Sequence, residues 1–280
     1  MKIFRAFSSL LVIASFAAIT ACSGGGGGSS PSIAPPTNNP GPPGPSNTIT
    51  SPAIGVSSQI VHASENVANG SESWYTGGVT AWTSNAGATS LGANGSNTVD
   101  NVACTQMGEP AGTTALHVHA FVGLYANGTE EAIPSALGMK APTEPTASGE
   151  QNDSYAVLTA QCFYHMHTHD YSGLIHIEDS SLPQSYAQSG MPSYATLKTL
   201  FDLWGEPINP SAVATFTGTV AMYIGTPSAK SSAGADIVTS YTPFNGDLTT
   251  IQFGHHVAIW IVVGTPPSAG LPQVEFNIQN

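Results

Sequence analysis

The chain has a single arginine, Arg5, and only four lysines, set against 17 acidic residues. So few cations cannot neutralise a phosphate backbone, which excludes nucleic acid and multiply phosphorylated molecules as partners. The longest apolar run, Ala6 to Ile19, is too short and wrongly flanked for a membrane-spanning helix. No Gly-x-Ser-x-Gly elbow and no phosphate-binding glycine loop is present, so serine-hydrolase and nucleotide chemistry have no footing. There is no internal repeat of fixed period. Cysteine is scarce, at three residues.

Lys2 and Arg5 followed by the apolar stretch and the small residues before Cys22 read as an export signal over residues 1–21. The run Ile19-Thr20-Ala21-Cys22 resembles a bacterial lipobox, which implies a lipid-modified Cys22 and a membrane anchor; the bland alternative is ordinary secretory cleavage nearby. Ser23 resembles the sorting pattern for the outer membrane. Residues 22–47 are Gly/Ser-rich, then Pro-rich, as in a disordered tether. Residues 48–280 then form a single domain. Loss of 1–21 leaves three lysines against 17 acids, a formal charge of −14 that attracts cations.

With Cys22 lipidated, Cys104 and Cys162 remain as an even pair in an oxidising compartment and read as a disulfide. A thiolate metal ligand is the alternative, and it would leave one cysteine without a mate.

Short runs rich in Val, Ile, Thr and aromatics recur between Gly, Asn, Pro and Ser, the pattern of an all-β sandwich or barrel. The predicted strands are 59–63, 116–125, 156–169, 174–178, 212–224, 249–253, 257–263 and 274–278. Asn127-Gly128 and Asn245-Gly246 are hairpin-turn signals. One segment departs from this: Leu197, Leu200, Phe201 and Trp204 recur at helical spacing between a cap at Ser193 or Thr196 and a stop at Gly205, predicting one short amphipathic helix.

Eight of nine histidines fall in three groups: His117-Val-His119, His165-Met-His167-Thr-His169 with His176, and His255-His256. Alternating strand residues share a face, and imidazole is the commonest metal ligand. If the loop Asp170-Tyr-Ser-Gly173 has even parity, His167 and His169 share a face with His176 and Glu178; odd parity separates them. The expected ligands are His117, His119, His167, His169, His176 and His255, with Asp170 and Glu178 orienting them from outside. At most one of His255 and His256 can join, since neighbours on a strand face opposite ways. His62 reads as an ordinary surface or core residue.

The set Cys104…His117-Val-His119…Tyr125-Ala-Asn-Gly128, then Cys162-Phe-Tyr-His-Met-His-Thr-His-Asp-Tyr-Ser-Gly-Leu-Ile-His-Ile-Glu178, then Phe201-Asp-Leu-Trp-Gly205 resembles an uncharacterised family of exported bacterial and archaeal proteins. The likeness spans roughly Val99 to Gly264. In that family's pattern position 165 is aromatic or apolar, which implies no ligand role for His165, and His255 is nearer than His256 to its late histidine.

A nitrogen-rich site suits copper, zinc, iron or nickel, and copper binds most tightly of these. The expectation is a lipid-anchored protein holding one transition-metal ion, copper favoured over zinc, in capture or delivery. The alternatives are a mononuclear metalloenzyme, as oxidoreductase or hydrolase, and a structural or adhesive β domain.

Overall fold

A computed structural model describes residues 46–64, 98–105, 115–145 and 157–278. The predicted signal, Cys22 and nearly all of the tether lie outside these residues. What is described is all-β, as the strand-like runs imply, with the one amphipathic helix and a single further helical turn at Tyr186–Ser189.

The principal sheet has seven strands. In chain order these are β1 (Ala115–Ala126), β2 (Thr129–Glu131), β3 (Met166–His167), β4 (Leu174–Pro183), β5 (Val220–Gly225), β6 (Thr242–Pro243) and β7 (Ala258–Val263). Their spatial order is β6-β5-β7-β1-β4-β3, with β2 paired to the far end of β1. All neighbours are antiparallel except β7 and β1, which run parallel. Burial on both faces suits the near-continuous apolar runs of the central strands, Ala258–Val263 above all.

A second sheet joins Ala229–Lys230, Asp236–Val238, Leu271–Phe276 and Val56–Ala63 in that order. His256 connects the two sheets. Its backbone N–H donates to the His119 carbonyl (2.7 Å), while its ring bonds Asp236 (2.7 Å) and stacks on Phe276, centroids 4.4 Å apart.

The helix α1 (Leu197–Trp204) buries Leu197, Leu200, Phe201 and Trp204. Thr196 Oγ1 accepts from Thr199 N–H (3.1 Å) as the N-cap, and Gly205 closes the other end in the left-handed region. Asn127-Gly128 turns β1 into β2 with both residues at positive φ, 51° and 84°.

Four expectations give way. Predicted strand 156–169 is two strands in separate sheets, Val157–Phe163 and Met166–His167, parted by a bend at His165. Asn245-Gly246 is not a hairpin turn: Asn245–Asp247 is a strand paired with Thr48–Thr50, and Asn245 Oδ1 accepts from Ser51 N–H (2.9 Å). Predicted strand 249–253 begins instead as a 3-10 turn, Leu248–Thr250, because Asp247 caps it by accepting from Thr249 N–H (2.9 Å). Predicted strand 212–224 is three short strands, broken by the chain reversals between them.

Candidate metal centre

One face of the principal sheet collects the histidines. Across β1 and β4, His119 is the direct partner of His176, and His117 of Glu178. Across β4 and β3, His176 is the partner of His167. Direct partners point to the same face, so His119, His176 and His167 form a row over three adjacent strands, with His117 and Glu178 in the next row. The β3–β4 connection therefore has even parity.

That connection is held by its own side chains. Asp170 Oδ1 accepts from Ser172 N–H (2.9 Å) and Ser172 Oγ from Leu174 N–H (3.1 Å). Gly173, at φ 78°, lets its carbonyl accept from Val122 N–H (2.9 Å); a Cβ there would lie 2.3 Å from the Val122 oxygen. On the other side the turn at 135–138 braces Thr168. Its hydroxyl donates to the Pro134 carbonyl (2.7 Å) and accepts from Leu137 N–H (3.0 Å).

The ring geometry matches what an ion requires. His117 Nε2 and His119 Nε2 are 3.1 Å apart, and His167 Nε2 and His169 Nε2 are 3.3 Å apart. Nitrogens bound at about 2.0–2.1 Å to a tetrahedral ion lie roughly 3.3 Å from one another, and cis nitrogens of a square-planar ion lie roughly 2.9 Å apart. Ligand atoms of His167, His169, His176 and Glu178 all lie within 4.8 Å of one another, as do those of His117, His119 and His176. These buried groups can hold a metal ion.

Electrostatics keeps the rings ready to ligate. Burial, reinforced by His176 and His117, pushes His119 down to about 2. Burial also lowers His167, and lowers His176 well below the ordinary value with His167 and His117 adding to it. Neutral imidazole is the form that binds metal. His167 is oriented by Nδ1, 3.1 Å from the Tyr164 carbonyl, which leaves Nε2 for another partner. His119 Nδ1 is buried with no hydrogen-bond partner among the described residues. Such an atom costs about 1–3 kcal/mol, a cost that an ion held at Nε2 does not remove.

Several residues take places other than those expected. Glu178 stands among the histidines, its Oε1 3.1 Å from His117 Nε2 and 3.3 Å from His176 Nδ1, and can itself offer a ligand atom as well as orient the rings. Asp170 caps the loop. His255 does not fall in either convergent group. Its ring stacks on His256 at 3.8 Å, because His256 adopts positive φ (56°) and turns the chain out of extended geometry before β7 begins. His165 points away from the site. It sits in the bend before β3, with Nδ1 3.0 Å from Asp179 Oδ2, an oxygen that also accepts from Tyr194 O–H (2.7 Å).

Gln184 is a functional neighbour with little sequence signal. Where β4 bulges between Asp179 and Pro183, the Gln184 side chain takes the place of a strand: Oε1 accepts from His117 N–H (2.7 Å) and Nε2 donates to the His117 carbonyl (3.0 Å).

Cys104 and Cys162 are joined in a disulfide, with Cα atoms 5.5 Å apart. Thiolate ligation by either is thereby excluded. The bridge lies just before the histidine segment, where Thr105 and Phe163 exchange backbone hydrogen bonds of 2.8 Å. The Phe163 ring in turn packs on His167, centroids 5.4 Å apart.

No family model, no curated protein and no solved structure matches the chain.

Proposed function

We propose that this chain is an exported, lipid-anchored protein that binds a transition-metal ion on its histidine face, with copper favoured over zinc, and that it captures or delivers that ion. The observation that carries the reading is the convergence of His167, His169, His176 and Glu178 ligand atoms within 4.8 Å on a buried face. The donors gathered on this face, in two overlapping groups, are imidazoles and one carboxylate, with both cysteines of the domain locked in a disulfide. Nitrogen donors without thiolate suit Cu(II) first, then zinc, nickel or iron. The anchor at Cys22, an outer-membrane location and membership of the exported family resembled by the His-Thr-His-Asp-x-Ser-Gly-x-Ile-His-Ile-Glu stretch belong to the same proposal, and rest on the sequence.

Exchange of the ion would occur through His117 and His169. The side chain of His117 is 38% exposed, whereas that of His176 is 3% exposed. An ion held mostly under cover but reachable at the part-exposed rings of His117 and His169 suits reversible loading better than a closed structural site.

Elemental analysis of protein purified from its native compartment, with an absorption and paramagnetic resonance spectrum, tests this. Near-stoichiometric copper with a nitrogen-dominated Cu(II) signal is expected. Stoichiometric zinc overturns the copper assignment alone; absence of any transition metal, with none taken up on titration, overturns the reading.

A further inference from the structure

We propose that the histidine face holds two adjacent transition-metal ions, one on His117 and His119 and the other on His167 and His169, with His176 and Glu178 shared between them. This rests on the metal-binding reading above and extends it from one ion to a pair.

The donors converge twice. One group is His167, His169, His176 and Glu178, the other His117, His119 and His176, and His176 is the member common to both. Each group contains an i, i+2 pair whose Nε2 atoms are already at the separation of ligands on one ion, 3.1 Å in one case and 3.3 Å in the other. The pairs come from strands on opposite sides of β4, so they flank His176. To serve both ions His176 would give up its ring proton to solvent as the second ion binds and bridge as imidazolate through its two nitrogens. Its ring centroid is 4.6 Å from that of His119 and 4.5 Å from that of His169, each at a steep angle of 88° and 86°.

A single ion cannot use this set as it stands. Ligands on one ion at about 2.0–2.1 Å are at most about 4.2 Å apart, and four-coordination is the habit of nitrogen-bound Zn(II) and Cu(II). A lone ion at one pair would leave the other pair of imidazoles without metal. Two ions employ all six donors.

Glu178 supplies the second shared group. It belongs to the group with His167 and His169, yet its Oε1 lies 3.1 Å from His117 Nε2 on the other side. A carboxylate has two oxygens and a negative charge, which suits it to reach both cations and to reduce their mutual repulsion. The positions differ in how far the shared groups are already in place, since Glu178 converges with every donor of the His167 and His169 group and is absent from the group of His117 and His119. The position with His167 and His169 should fill first. The position at the part-exposed His117 should fill second and exchange faster.

Titration of the metal-free full chain with Cu(II), and separately with Zn(II), reads this directly. Two equivalents are expected, the second at least ten times weaker, and paramagnetic resonance at two equivalents of Cu(II) should show a half-field transition from coupled ions that is missing at one. His117→Asn, a change at a part-exposed ring that the fold tolerates, should weaken only the second equivalent. The double variant His167→Asn/His169→Asn should bind one equivalent without the half-field signal. Saturation of the unaltered chain at one equivalent overturns the pair and leaves the single-ion reading standing. Two equivalents with no coupling and no response to His117→Asn also overturn it, because the second ion is then elsewhere. Zero equivalents overturn both readings.

Discussion

His119 and His176 face each other as direct partners across two antiparallel strands, their ring centroids 4.6 Å apart and their planes at 88°. Both side chains are almost fully buried, at 1% and 2% residue exposure. Rings so placed gain from an ion what they lack in solvation. Replacing His176, the residue common to both convergent groups, by Asn should therefore reduce Cu(II) affinity by on the order of 100-fold or more. Competition against a chromophoric chelator measures this, and the rise in Tm on adding metal should shrink with it.

Acidity should act through a buried carboxyl outside the histidine face. Burial pushes Glu130 up from 4.5 to about 8, opposed in part by the Tyr125 O–H that donates to its Oε2 at 3.2 Å. Between these values the folded chain keeps a proton that the unfolded chain has released. Stability contributed by this group is thus complete below about pH 4.5, falls as pH rises towards 8 and is level above that. The fall is on the order of 3–5 kcal/mol, at about 1.4 kcal/mol per pH unit. Glu130→Gln should remove it, so the difference between the two proteins in urea unfolding should grow from pH 5 to pH 8. A difference that stays constant would contradict the assignment.

Gly138 supports the strand that carries His167. At φ 71°, it places its α-carbon where a Cβ would meet the Met166 oxygen at 2.1 Å and His167 at 3.1 Å. Gly138→Ala should cost at least about 2 kcal/mol, since the left-handed conformation alone costs a non-glycine residue roughly 1–3 kcal/mol. It should also weaken metal binding by shifting His167. Gly234→Ala is the control, with φ 91° and open space around the new Cβ. It should show the conformational cost without any loss of metal affinity.

The Cys104–Cys162 bridge closes 58 residues of chain. By chain entropy such a closure is worth about 4 kcal/mol, and measured values for bridges generally fall near 2–4 kcal/mol. Cys104→Ala/Cys162→Ala should lower the urea midpoint accordingly. Because Phe163 carries both the Thr105 pairing and the ring packed on His167, metal affinity should fall as well.

Much of the site is legible in the sequence. Alternation places His117 with His119, and the short Asp-Tyr-Ser-Gly loop limits His167 and His176 to two relative faces, of which the register selects one. The helix is equally legible, since its apolar spacing, Thr196 cap and Gly205 stop agree. What escaped depends on contacts distant in sequence. Glu178 reads as an outer residue until β1 pairs beside β4 and sets it opposite His117. The fate of His255 turns on one positive φ at His256, which Asp236 and Phe276 from the second sheet stabilise. Gln184 acts at a bulge, and Asn245-Gly246 enters a strand because Thr48–Thr50 supplies a partner nearly 200 residues away. Local pattern carries no information about such pairings.

Anomalous diffraction at the copper edge, from crystals of the Cu(II)-loaded protein, tests the central claim most directly. The expected result is anomalous density on the histidine face within about 2.0–2.3 Å of at least three nitrogens drawn from His117, His119, His167, His169 and His176. Density only at other sites, or none on this face at saturating copper, would contradict it.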